Sequence, residues 1–279
     1  MRGGGQGRQP EDPSSVDERL GVLPGFPGSA DLGGLPLAGG GSTALRRVIR
    51  SAVPIALPIA LPIALPIAVA DASPDAVAGE LPDELRRSAE RFGVRAVVDL
   101  RSDAEARLLP HPLADLPGYR LLPLIDVAAE PQRDVTSEAT FGDLYARSLG
   151  RNRRTLVEVF RALAAHARAA AAGPGAGAVL VCCAAGRDRT GMVAALLLDL
   201  AGAERGAVVD DYHRAGSGSP VVDPPTAPTP HRRGGPDVEA MLDHVHARWG
   251  GPADYLRWLG LDDEEVVTLR SLLRPEGAA

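Results

Sequence analysis

Lysine is absent from this 279-residue chain; all 30 of its basic residues are arginine. Together with the heavy alanine, glycine and proline content, that bias reflects a GC-rich genome more than a function. Cysteine is almost absent too: there are two, Cys182 and Cys183, side by side. Adjacent cysteines cannot staple distant parts of a fold, so a disulfide scaffold is excluded and a reduced, intracellular setting is expected. Aromatic residues make up only 4% of the chain, so the core has to be aliphatic. An excess of positive charge is missing as well, and the net charge of −6 argues against a nucleic-acid partner. The opening residues, MRGGGQGRQPEDPSSVDERL, contain no apolar stretch of the kind a secretory signal needs. A cytoplasmic location is therefore the expectation.

One long uncharged run is present, VPIALPIALPIALPIAVA, from Val53 to Ala70. Its length suits a membrane span. Pro54, Pro58, Pro62 and Pro66 argue against one, because each proline inside a helix removes a hydrogen bond and clashes with the preceding turn, at roughly 3 kcal/mol. The run reads instead as an extended or polyproline-like loop expansion, with no stable membrane insertion. Residues 1–24, rich in glycine, proline and charge, read as a disordered tail.

Between these segments the pattern alternates. VRAVVDL, YRLLPLID and AVLVC read as apolar strands, and LRRVIRSA as a short strand. LPDELRRSAERFG reads as a helix stopped by Gly93. Residues 137–172 read as two helices, and RTGMVAALLLDLAG as a fully apolar one ending at Gly202. ERGAVVDDYHRA is a further helix, residues 216–236 are a Pro/Gly/Ser-rich loop, and the C-terminal region is helical. Apolar strands alternating with helices imply an α/β fold with a mostly parallel central sheet covered on both faces.

The chemistry concentrates in VLVCCAAGRDRTGM, Val179–Met192. An apolar strand runs into Cys183; Ala184, Ala185, Gly186, Arg187 and Asp188 form a loop; Arg189 and Thr190 open an apolar helix. A strand–loop–helix of this kind cradles phosphate with loop amides and the helix N-terminus. The same field stabilises a thiolate. Arg189 offers a planar fork that can hold two phosphate oxygens at once. A thiolate beneath a cradled phosphate is an in-line nucleophile. Side chains alternate along a strand, so Cys183 is expected to face the loop's pocket and Cys182 to face away as a small hydrophobe. His244 and His246, two apart on a helix, point to different faces and do not read as a metal site.

CCAAGRDRTG resembles the signature loop of the cysteine-based phosphatases, and most closely the bacterial protein tyrosine/serine phosphatase family typified by mycobacterial phosphatase B. In that family the loop reads H-C-x-A-G-K-D-R-T-G. ADLGG, RRVIRSA, VVDLRSDAE, LLPLID, VVDDYHRA and GGPADYLRWLGL are similar to further family segments, in the same order. The resemblance covers roughly residues 25–275 and implies one phosphatase domain, with the proline repeat as an insertion. It implies that Cys183 is the nucleophile, Arg189 the phosphate clamp and Thr190 a hydrogen-bond donor to the sulfur. Arg187 takes the place of the family's lysine, near an anionic substrate. Ala184, Ala185, Gly186, Arg187, Asp188 and Thr190 are then the phosphate-binding set. Asp126, closing LLPLID, falls where the family places its general acid; Asp188, inside the loop, is the rival. Asp99 and Arg101 are expected to fix strand and loop as a buried pair. Two positions depart from the pattern: Cys182 stands where the family has histidine, and Ala30 where it has arginine.

The function expected is phosphomonoester hydrolysis of the protein-tyrosine-phosphatase type through a cysteinyl phosphate. It needs no cofactor and no metal. The partner is a phosphorylated protein, with phosphoserine/threonine or phosphoinositide as further substrates. A non-catalytic phosphate-binding protein and a rhodanese-like sulfurtransferase, which also places a cysteine under loop amides, are the alternatives.

Overall fold

The computed structural model describes residues 19–54, 80–173, 177–217 and 237–274. The proline repeat beyond Pro54, most of the N-terminal tail and the loop after Ser217 lie outside them. Five strands form one sheet: β1 (Ala30–Asp31), β2 (Val48–Ala52), β3 (Val94–Asp99), β4 (Tyr119–Leu121) and β5 (Ala178–Cys183). Their spatial order is β1-β2-β5-β3-β4. β2, β5, β3 and β4 run parallel, and only β1 is antiparallel, at the edge. Cys183, at the end of the central strand, pairs with Ala52, and Cys182 pairs with both Ser51 and Asp99.

The helices are α1 (Glu80–Phe92), α2 (Asp103–Leu108), α3 (Phe141–Arg151), α4 (Arg153–Ala171), α5 (Asp188–Ala201), α6 (Arg205–Ser217), α7 (Asp237–Trp249), α8 (Pro252–Leu259) and α9 (Asp263–Leu273). α4 buries Leu156, Val159, Phe160, Leu163, Ala164 and Ala167, a stripe at three- and four-residue steps that fixes one face to the sheet. α5 is apolar on every side and correspondingly buried nearly throughout, from Thr190 to Ala201. Capping boxes start α3 at Thr140–Asp143 and α9 at Asp262–Glu265, satisfying backbone donors that the first turn leaves over.

The sheet divides two cores. On one face Val179, Val181 and Cys183 of β5 pack with α3, α4, α5 and the C-terminal helices. On the other, Ala178, Leu180 and Cys182 pack with Leu85 and Ala89 of α1 and with Leu23 and Phe26. The expected α/β architecture, mostly parallel sheet and helical C-terminal region are therefore present. Among the described residues no helix is long and apolar enough to cross a membrane.

Two local expectations are corrected. YRLLPLID does not stay a strand as far as Asp126. Leu122 and Leu124 still donate to Asp99 O and Leu100 O, but Pro123 between them has no N–H, and the regular ladder ends at Leu121. The ADLGG segment, absent from the expected strands, contributes the short edge strand β1.

Candidate active site

Everything the loop needs is brought to the C-terminal end of β5. Cys183 is 2% exposed and faces the larger core, whereas Cys182 is fully buried on the opposite face. The alternation expected from the strand thus separates the two thiols. Burial pushes the Cys182 thiol well above its ordinary range, which keeps it protonated and inert. The family's histidine position is occupied here by a hydrophobe.

The loop from Ala184 to Arg187 turns back toward β2. Gly186 has φ +66°, and a side chain there is excluded by space as well: a Cβ would lie 2.4 Å from Ala52 N. Gly186 O accepts from Arg50 Nη2 at 2.8 Å, while Arg50 Nη1 is ion-paired with Asp211 of α6 at 2.7 Å. Arg50 and Asp211 are 1% and 3% exposed, so this is a buried tether from α6 through β2 to the loop. No side chain caps α5, whose N-cap is Arg187 itself. An anion at the loop therefore meets the positive end of a long helix without competition from a capping residue.

Arg189 sits in the first turn of α5. Its two terminal nitrogens donate to Glu105 Oε2 and Oε1, each at 2.7 Å. Burial alone would weaken the guanidinium; the Glu105 bonds and the nearby Cys183 sulfur more than offset this and keep it charged. Glu105 also closes a capping box with Ser102 at the start of α2, accepting from Ser102 N at 2.7 Å. α2 is itself secured by Arg101, whose guanidinium bonds both oxygens of Asp99 and the carbonyl of Leu109. The expected Asp99–Arg101 pair is thus present, and its effect is to seat the helix that braces Arg189. Glu105 lies within VVDLRSDAE, where the Ser-x-x-Glu capping spacing announces a helix start and not a partner for Arg189.

Burial would raise Glu105, but its bonds to Arg189 hold it down at about 2. A depressed carboxyl contributes stability that is present above its unfolded value and lost as pH falls from the ordinary carboxylate range toward 2. Because Glu105 is 36% exposed, screening moderates that contribution. Glu105→Gln is expected to flatten the acid limb of a pH–stability curve and to weaken phosphate or vanadate binding, measured by competition, by roughly tenfold for one lost charged hydrogen bond. Unchanged oxyanion affinity in the variant would show that Arg189 needs no brace.

Thr190 is fully buried and its Oγ1 has no hydrogen-bond partner among the described residues. Asp188, 30% exposed at the start of α5, accepts from Tyr145 Oη. Arg187 Nε lies 3.4 Å from the same carboxylate. Asp126 is placed differently. Its N–H donates to Asn152 Oδ1, and its carboxylate is gripped by Arg154 Nε and Nη2 at 3.0 and 2.8 Å. Those hydrogen bonds hold Asp126 below the usual carboxylate range, so it stands ionised. Among the described residues no group of three His, Cys, Asp or Glu side chains is arranged to hold a metal. His246 instead pairs with Asp199 at 2.8 Å, and His244 packs edge-on to Trp249.

The model of the tyrosine phosphatase family matches residues 76–274. A tyrosine-protein phosphatase of Nostoc commune is 30% identical over 222 residues, spanning 71% of this chain and 72% of the relative. The triple specificity protein phosphatase PtpB of Mycobacterium tuberculosis is 31% identical over 168 residues, 51% of this chain and 59% of its own length.

Proposed function

Since this chain belongs to the tyrosine phosphatase family, we propose that it hydrolyses phosphomonoesters through a cysteinyl phosphate on Cys183. The observation that carries the reading is the braced fork of Arg189, held by Glu105 within electrostatic reach of the Cys183 sulfur. Two phosphoryl oxygens would take N–H groups of Arg189 not turned to Glu105, and loop amides from Ala184 to Asp188 the remaining charge. Cys183 Sγ attacks phosphorus, and the bond to the leaving oxygen breaks as that oxygen takes a proton from a carboxylic acid, which is left as its carboxylate. Water then attacks phosphorus, loses its proton to the same carboxylate, and the S–P bond breaks. The unused hydroxyl of Thr190 is the donor that would ease the departure of the sulfur.

We assign the proton to Asp188 and not to Asp126. The acid has to reach the leaving oxygen, and at Asp126 both carboxylate oxygens are taken up by Arg154. Asp188 lies in the loop beside the clamp. Asp188→Asn is expected to lower kcat by roughly 10²–10⁴ for phenyl phosphate, and less for p-nitrophenyl phosphate, whose leaving group needs no proton. Asp126→Asn should leave that difference in place. The opposite pattern returns the role to Asp126.

The substrate proposed is phosphotyrosine on protein. Phosphoserine/threonine and phosphoinositide are further candidates, supported by the name of the mycobacterial relative as a triple specificity protein phosphatase and by Arg187 at the end of the loop. β2 lies outside the matched region yet supplies Arg50 to the loop, which supports one catalytic unit over roughly residues 25–275. Hydrolysis of p-nitrophenyl phosphate, inhibited by vanadate and indifferent to EDTA, is the expected result. Activity abolished by EDTA and restored by a metal would refute the reading.

A further inference from the structure

Asp211 and Tyr212 are consecutive on α6, and each reaches the phosphate loop through one intermediary. Asp211 does so through Arg50. Tyr212 does so through Tyr145 of α3: the two hydroxyl oxygens are 2.8 Å apart, and Tyr145 O–H donates to Asp188 Oδ1 at 2.5 Å. The rings are 2% and 5% exposed and meet edge to face, with centroids 6.3 Å apart. Tyr212 is fixed in turn by Gly191 of α5, where a Cβ would lie 2.8 Å from the Tyr212 ring. The glycine of the Arg-Thr-Gly helix start thus makes room for this ring.

The direction of the chain follows from its end. The Tyr145 proton is spent on Asp188 Oδ1, so Tyr212 is left to donate to Tyr145 Oη. Burial raises both phenols, Tyr212 to about 12, so both donors keep their protons. Two buried hydroxyls in series are costly unless satisfied, and this pair is satisfied by ending on the one loop carboxylate.

We propose that Tyr145, braced by Tyr212, is a positioning residue for the proton transfer, fixing the orientation of the Asp188 carboxylate against the scissile oxygen. The inference rests on the assignment of Asp188 as proton donor. The groups facing this carboxylate are Arg187 from the loop, Arg189 from the first turn of α5 and Tyr145 from α3, with Tyr212 of α6 and Asp237 of α7 behind them.

Tyr145→Phe removes the donor and keeps the ring. Its kcat on phenyl phosphate is expected to fall roughly tenfold, the size of one hydrogen bond to a charged group, with KM little changed and p-nitrophenyl phosphate less affected. A carboxylate that loses a donor to its charged form becomes a weaker acid, so the alkaline limb of the rate profile should move to higher pH. Tyr212→Phe should shift the same limb the same way by less. Tyr145→Phe combined with Asp188→Asn should be no slower than Asp188→Asn alone, because the tyrosine acts only through that carboxylate. A uniform loss across leaving groups with the limb unmoved would make Tyr145 merely structural and overturn the proposal, while a leaving-group-dependent Asp188→Asn leaves the acid assignment standing. If Asp188→Asn itself lacks that dependence, the assignment and the proposal fall together.

Discussion

Cys183→Ser is expected to reduce turnover to background while the protein still binds phosphate or vanadate. The serine hydroxyl is far less ionised than a thiol, and the loop Ala184–Asp188 holds no histidine of the kind that activates serine nucleophiles. The binding apparatus is independent of the sulfur: Arg50 still holds Gly186 O, Glu105 still holds Arg189, and α5 still points its uncapped end at the site. Arg189→Lys should fail in the complementary way, losing oxyanion affinity and turnover together. A lysine keeps the charge but cannot bridge both oxygens of Glu105 while presenting a planar fork to phosphate. Steady-state rates and equilibrium dialysis with inorganic phosphate on the purified variants separate the two. Hydrolysis persisting in Cys183→Ser protein would exclude the covalent route.

The part of this site that could be read from the sequence is the part that is contiguous. Strand, loop, clamp arginine and apolar helix occur within one short run, and local periodicity reports on them. The partners that hold the loop could not be read this way. Glu105 lies 84 residues from Arg189, and Arg50 lies 161 from Asp211. Periodicity carries no information on which distant charge will pair with which, especially in a chain with many arginines. The resemblance placed the segments holding Arg50, Glu105, Asp211 and Tyr212 in the right order without giving those four residues a task. Asp126 illustrates the converse. Its position at the end of LLPLID suggested an acid, but its protonation is set by Arg154, a residue of another element. The fold was more legible than the site because burial is enforced residue by residue. Val179, Val181 and Cys183 face one core and Ala178, Leu180 and Cys182 the other, which is what a six-residue apolar strand in a covered sheet must do.

The largest loss of stability is expected at the buried tether. Arg50→Met removes a 1%-exposed guanidinium and leaves Asp211, 3% exposed, without its principal partner. Breaking one side of a buried ion pair costs about 3–5 kcal/mol, because the surviving charge is stranded in a poor dielectric. Arg19, with a nitrogen 3.9 Å from Asp211 Oδ1, offsets part of that and should bring the cost toward the lower end. The double variant Arg50→Met/Asp211→Leu removes the stranded charge as well, and well-packed apolar replacements of buried pairs are often neutral. Thermal or urea unfolding should therefore show the double variant more stable than Arg50→Met. Activity should not follow stability. In both variants Gly186 O has lost its donor, and the peptide that carries it sits at φ +66° with β2 packed against it. The loop amides that would face phosphate are set by that peptide, so oxyanion affinity and kcat/KM should remain low even where the fold is restored. Recovery of both together in the double variant would show that Arg50 stabilises the sheet alone and that the loop keeps its shape without it.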